Sequence, residues 1–349
     1  MLQEPTVTAG SDKPFELKVE GLPATVVFTC KLGSTDLRFI LDTGSQESMV
    51  SDEAQDTKDG KTLIWFGQTG FFAELVPPSD IHTAIPDKTI MGVIGVDAVE
   101  NMAVGIDYAQ ATATIWPKGA SREQERNWMR LATANFKEIP LRISDRRIML
   151  NANIGTRRVP MLVDTGASIN GLADGMEVPT TLSGVGSVNV QGFEKSGASK
   201  MYLCPQIDIA STQFSWKPFV QRGDFSTISP QICWWPRVLL DFKNKRLFVP
   251  PDRRDFDLGL CLGLALRREL LIGGAKIFVS PNPDSVQVAD MTAELLSVGK
   301  VDMEEVATSQ NDTAKVFGLL CDIFKEVEHG CDIRIRNGDK VEVSKFKRQ

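Results

Sequence analysis

Histidine is nearly missing from this chain: His82 and His329 are the only two among 349 residues. That scarcity argues against a zinc site built on imidazoles and against a Ser-His-Asp triad. Cysteine is sparse and scattered. Cys30, Cys204, Cys233, Cys261, Cys321 and Cys331 form no CxxC pair, so single buried thiols are expected. Positive charge is not in excess. A net charge of −6 offers no basic stripe for phosphates and argues against a nucleic-acid partner. Apolar runs stay well short of a membrane span. No motif calls for a metal or another cofactor.

What is present is the composition of a globular protein, 42% hydrophobic and 24% charged, with length for two or three domains. Residues 1–14 read as a flexible, polar lead-in without a visible signal peptide. An extracytoplasmic location, periplasmic or secreted, is expected if a leader has been removed.

Asp-Thr-Gly occurs twice, each time after an apolar run: Phe39-Ile40-Leu41-Asp42-Thr43-Gly44-Ser45 and Met161-Leu162-Val163-Asp164-Thr165-Gly166-Ala167. The two aspartates are 122 residues apart. Residues Val26 to Asp42 align without gaps onto Ile148 to Asp164, and Gly33 falls on Gly155, nine residues before each aspartate. Both stretches read as a strand, a glycine-centred hairpin turn and a second strand ending at the aspartate. The repeats also end alike. Gly105–Pro117 and Leu239–Pro250 each read as a hairpin, turning at Ala109-Gln110 and Lys243-Asn244. This places one lobe at 15–118, a linker with a short helix at 119–136 and a second lobe at 137–251.

Paired carboxylates from two such loops can hydrolyse an amide. Held close, they cannot both ionise comfortably and share a proton. The ionised member takes a proton from water and the protonated member polarises the carbonyl. Asp42 and Asp164 are the expected catalysts. Gly44 and Gly166 allow close backbone approach, and the Thr43 and Thr165 hydroxyls can fix the two loops to one another. Ser45 can hydrogen-bond a carboxylate where Ala167 cannot, so Asp42 is expected to be the more readily ionised.

These residues resemble the aspartic peptidases of the pepsin and retropepsin families, over about 240 residues. The resemblance implies a mainly β acid-protease fold of two pseudo-symmetric closed lobes, protein or peptide substrates in the cleft between them, and a flap. Val93-Ile94-Gly95 resembles the family's apolar-apolar-glycine signature behind the active-site loop. The flap of the first lobe is expected at Trp65, Phe66, Gly67, Gly70 and Phe71, and its counterpart at Gln191, Gly192 and Phe193. The second lobe departs from the pattern. Ser229-Pro230 stands where its signature glycine is due, and neither Tyr108 nor Tyr202 falls on the flap.

Residues 252–349 resemble a small α+β PDZ domain. Leu260, Gly263 and Leu264 would belong to its carboxylate-binding loop, Thr313–Glu328 to its groove helix, and Cys331–Lys345 to a final hairpin turning at Asn337-Gly338. Such a unit holds a peptide C-terminus on a sheet edge. A catalytically silent peptidase-like scaffold that binds peptides or proteins is the competing reading.

Overall fold

In the computed structural model the chain is mainly β. The residues described are 7–8, 13–20, 26–54, 60–83, 85, 87–107, 110–130, 136–167, 170–190, 197–221, 223–229, 237–249, 271–272, 275–279, 286–288, 291–308, 319, 322, 326, 330–337 and 339–345. The first half contains β1 (Val7–Thr8), β2 (Phe15–Lys18), β3 (Val27–Leu32), β4 (Thr35–Leu41), β5 (Met49–Ser51), β6 (Lys61–Phe66), β7 (Thr69–Val76), β8 (Ile90–Ile94), β9 (Ala103–Asp107) and β10 (Thr112–Trp116). Its helices are α1 (Pro78–His82) and α2 (Val96–Val99), and α3 (Arg122–Arg130) follows in the linker. The second half contains β11 (Lys137–Pro140), β12 (Arg142–Ser144), β13 (Arg147–Ile154), β14 (Arg157–Val163), β15 (Asn170–Leu172), β16 (Ser183–Val190), β17 (Gly197–Ile209), β18 (Thr212–Gln221), β19 (Thr227–Ile228), β20 (Arg237–Asp241) and β21 (Arg246–Val249).

Strands of the first half close into a ring. β3 pairs antiparallel with β4, β4 parallel with β8, β8 antiparallel with β5, and β5 parallel with β7. β7 then pairs antiparallel with β6, which returns to β3 through Trp65 and Lys31. The second half runs the same circuit with the same senses: β13–β14, β14–β19, β19–β15, β15–β18, β18–β17 and back to β13. Closing each sheet on itself leaves few free strand edges. The glycine hairpins form as the pattern predicts: Gly33 and Gly155 hold φ of +60° and +61°, where a side chain is disfavoured.

The apolar lead-in to the first aspartate does not alternate, and the packing explains why. Phe39 and Leu41 face the main core, whereas Ile40 packs on the other side of the sheet with Val27, Ile90 and Val93. A strand covered on both faces reads as a continuous apolar run.

Another sheet, ordered β11-β21-β20-β9-β10-β2, takes three strands from each half. Its central seam pairs β9 with β20, Gly105 lying opposite Leu239. The α3 helix packs here. A β-carbon on Gly105 would lie 2.9 Å from the Trp128 ring, so glycine admits the helix. Beneath it, Arg246 bridges two buried carboxylates, Glu125 of α3 and Asp241 of β20.

Beyond residue 249, β22 (Leu271–Ile272), β23 (Ala275–Val279), β24 (Val286–Val288), β25 (Met291–Val298), β26 (Val301–Asp302), β27 (Asp332–Asn337) and β28 (Lys340–Lys345) follow. They are ordered β22-β23-β24-β25-β27-β28, with β26 on β25. Of the helix expected at 313–328, residues 319, 322 and 326 are described and are helical. Leu260, Gly263 and Leu264 lie outside the described residues. The final hairpin forms, but Asn337, expected in its turn, is the last residue of β27 and pairs with Lys340. Among the described residues no helix is long and apolar enough to cross a membrane, and no cluster of His, Cys, Asp or Glu could hold a metal.

Candidate active site

Asp42 follows the last residue of β4, and Asp164 the last residue of β14. Each is hung from the neighbouring parallel strand. The Asp42 N–H donates to the Ile94 carbonyl, and the Asp164 N–H to the Ile228 carbonyl, both at 3.0 Å. The threonines then cross over. The Thr43 N–H donates to Thr165 Oγ1 at 3.0 Å, and the Thr165 N–H to Thr43 Oγ1 at 3.1 Å. Each hydroxyl passes its own hydrogen on: Thr43 Oγ1 to the Val163 carbonyl at 2.6 Å, and Thr165 Oγ1 to the Leu41 carbonyl at 2.8 Å. Both threonines are buried, so these four bonds satisfy groups that water cannot reach.

This cross-bracing brings the Asp42 and Asp164 carboxyls close enough for each to shift the titration of the other. Neither Gly44 nor Gly166 has a positive φ. Space is what demands glycine. A β-carbon on Gly44 would lie 2.8 Å from the Asp164 carboxyl carbon, and one on Gly166 would lie 2.5 Å from that of Asp42. Each glycine therefore clears room for the carboxylate of the opposite loop.

Backbone donors point at both carboxyls. The Gly44 N–H reaches Asp42 Oδ1 at 2.8 Å, while those of Gly166 and Ala167 each reach Asp164 Oδ1 at 2.9 Å. Burial nevertheless pushes both groups above the usual carboxyl range. Asp164 is pushed furthest, by burial first and then by the Asp42 charge, whereas Asp164 in turn favours the ionised form of Asp42. Two carboxyls so placed titrate as a pair and favour a state that keeps one proton between them.

Asp42 is raised less than Asp164, and the Ser45 hydroxyl, expected to favour its ionised form, is turned elsewhere. The Ser45 hydroxyl donates to the Glu47 carbonyl at 2.8 Å, and it is the Ser45 N–H that assists Asp42. Gly95 sits behind the first loop, donating its N–H to Ser48 Oγ at 2.9 Å. Ser48 in turn donates to Asp97 at 2.6 Å. A β-carbon on Gly95 would come within 2.5 Å of the Glu47 carbonyl carbon.

The hairpin expected to be a flap lies elsewhere. Trp65 pairs with Lys31, at the far end of the β3–β4 hairpin from Asp42. Six residues of strand separate that level from the aspartate, about 20 Å at strand rise. Phe66 and Phe71 are fully buried; their rings meet Phe28 and Phe39 at 4.8 and 6.4 Å. Gly67 turns with φ +59° against the Phe15 ring, and Gly70 pairs with Thr8 of β1. These residues are core and edge, not cleft. Gln191, Gly192 and Phe193 lie outside the described residues.

Ser48 and Asn170 are not singled out by the sequence, and Ser229 is noted there only as a departure from the glycine signature, yet all three support the loops. The repeat offset of 122 carries Ser48 onto Asn170 and was the available signal. No protein-family model matches the chain, and no curated protein matches its sequence.

Proposed function

We propose that this chain is an aspartic endopeptidase of two related lobes, with a C-terminal PDZ-like unit that docks peptide C-termini or protein partners. One observation carries the enzymatic reading: the reciprocal Thr43–Thr165 bracing brings the Asp42 and Asp164 carboxyls together, each packed against the glycine of the opposite loop. The matching strand circuits, and the sheet built from three strands of each half, support descent of the lobes from one duplicated unit. The PDZ-like assignment rests on the sequence pattern.

The reaction follows from the protonation states. Ionised Asp42 removes a proton from a water as the oxygen attacks the scissile carbonyl carbon. Asp164 gives its proton to the carbonyl oxygen, so a neutral gem-diol forms instead of an oxyanion. Asp42 then gives its proton to the amide nitrogen while Asp164 takes one back from a gem-diol hydroxyl, so the C–N bond breaks to an acid and an amine and the shared proton is restored.

Cleavage of a mixed peptide library across pH tests this. Asp42→Asn and Asp164→Asn are each expected to lower kcat by about a thousandfold or more, as loss of a general acid or base from a concerted pair does. No cleavage at any pH, with no binding of a statine-type transition-state mimic, would remove the enzymatic reading and leave a peptide-binding scaffold.

A further inference from the structure

The two aspartate loops are braced from behind by different chemistry, although the bonds run between corresponding positions. In the first half the Gly95 N–H donates to Ser48 Oγ at 2.9 Å and the Val96 N–H donates to the Ser45 carbonyl at 2.9 Å. In the second, the Ser229 N–H donates to Asn170 Oδ1 at 3.0 Å. The carbonyl of Ala167, counterpart of Ser45, also needs a donor. The residue corresponding to Val96 is Pro230, which has no N–H to give. The donor comes instead from one residue earlier: Ser229 Oγ donates to the Ala167 carbonyl at 2.6 Å. Ser229 is fully buried, so this bond does not compete with bulk water.

We infer that Ser229 is a positioning residue for Asp164, its hydroxyl replacing the main-chain donor that proline removes. The link to the reaction is short. The Ala167 N–H donates to Asp164 Oδ1 at 2.9 Å, so holding the Ala167 carbonyl fixes the residue that also steers the carboxyl. The inference deepens the peptidase reading and rests on it, but its structural part can be tested separately. It also accounts for the missing signature glycine: with proline next in sequence, glycine would leave the Ala167 carbonyl without this donor, whereas serine supplies one.

The experiment compares Ser229→Ala, Ser229→Thr and the double variant Ser229→Gly/Pro230→Val, all in the full chain. The last reproduces the Gly95-Val96 pair. Ser229→Ala is expected to lower kcat by about ten- to a hundredfold with little change in KM, the scale of a small misplacement of a reacting group. Its Asp164 carboxyl, followed by carbon-13 NMR and assigned by difference from Asp164→Asn, should titrate at higher pH, because the Ala167 N–H is held less firmly. Ser229→Thr and the double variant should restore both readouts. An Asp164 titration unchanged in Ser229→Ala would overturn the inference, even if the wild type cleaved no peptide. A moved titration in a protein that cleaves nothing would support the positioning role and sink only the peptidase reading. If Ser229→Ala does not fold, failure of either donor-retaining variant to hold the wild-type titration overturns the inference, and success of both supports it.

Discussion

A β-carbon added at position 166 would stand 2.5 Å from the carboxyl carbon of Asp42, a residue on the other half of the molecule. Real β-carbons do not approach so closely, so one loop would have to retreat. Gly166→Ala is therefore expected to separate the carboxyls and to lower kcat by about a hundredfold, while the overpacking costs about 1–3 kcal/mol of stability. Steady-state kinetics and denaturant unfolding check the two parts. Wild-type activity in Gly166→Ala would contradict the close approach.

The threonine bracing predicts coupling between distant positions. Thr165→Val removes the acceptor for the buried Thr43 N–H and should cost about 1–3 kcal/mol, since an orphaned buried donor loses its hydration without recompense. Thr165→Ser keeps the hydroxyl and should be milder. In a double-mutant cycle with Thr43→Val the two costs should fail to add. Additive costs would mean that the loops are braced independently.

Both dyad carboxyls are raised above the usual range by burial, and this fixes the sign of the pH dependence. The pair keeps one proton where exposed carboxyls have lost theirs. Activity should fall as pH rises through the upper apparent pKa of the pair and fall again when both groups are protonated. Stability follows the same groups. A raised pKa contributes stability that is fully present below the unfolded value, 3.8 for each aspartate, and is lost as pH rises through the folded value. Asp164→Asn should abolish cleavage yet flatten the stability profile. A profile as steep as that of the wild type would argue against the shared proton.

Glu125 adds a second titration, remote from the dyad. Burial and the neighbouring Asp241 outweigh Arg246 and Arg122, and its pKa is raised from 4.5 to about 7. The protonated acid can donate to Asp241 while Arg246 balances the remaining charge. The stability it contributes is present below pH 4.5 and lost as pH rises through about 7. Glu125→Gln should keep the neutral donor, raise Tm at pH 8 relative to wild type and reduce the fall in Tm between about pH 5 and 8. An unchanged slope would remove Glu125 from the account.

What was legible in the sequence was whatever depends on local pattern. The glycine hairpins at Gly33 and Gly155 and the buried strands before each aspartate follow from turn chemistry and apolar runs. The flap was misread because a glycine-flanked aromatic hairpin looks alike at either end of a closed sheet. Only the pairing of Trp65 with Lys31 tells which end it occupies. The support of the second loop was hidden for another reason. A motif search looks for glycine, whereas the carbonyl of Ala167 needs only a donor, and a serine hydroxyl satisfies it.

The seam between β9 and β20 also has a mechanical meaning. The halves are joined there by a ladder of main-chain hydrogen bonds running from Arg237–Asp107 to Asp241–Ala103. Rigid bodies that merely touch can rock apart, but a continuous sheet resists shear along its strands. Motion of one half against the other must then come from bending outside the ladder, whose amides should be among the slowest in the molecule to exchange with solvent.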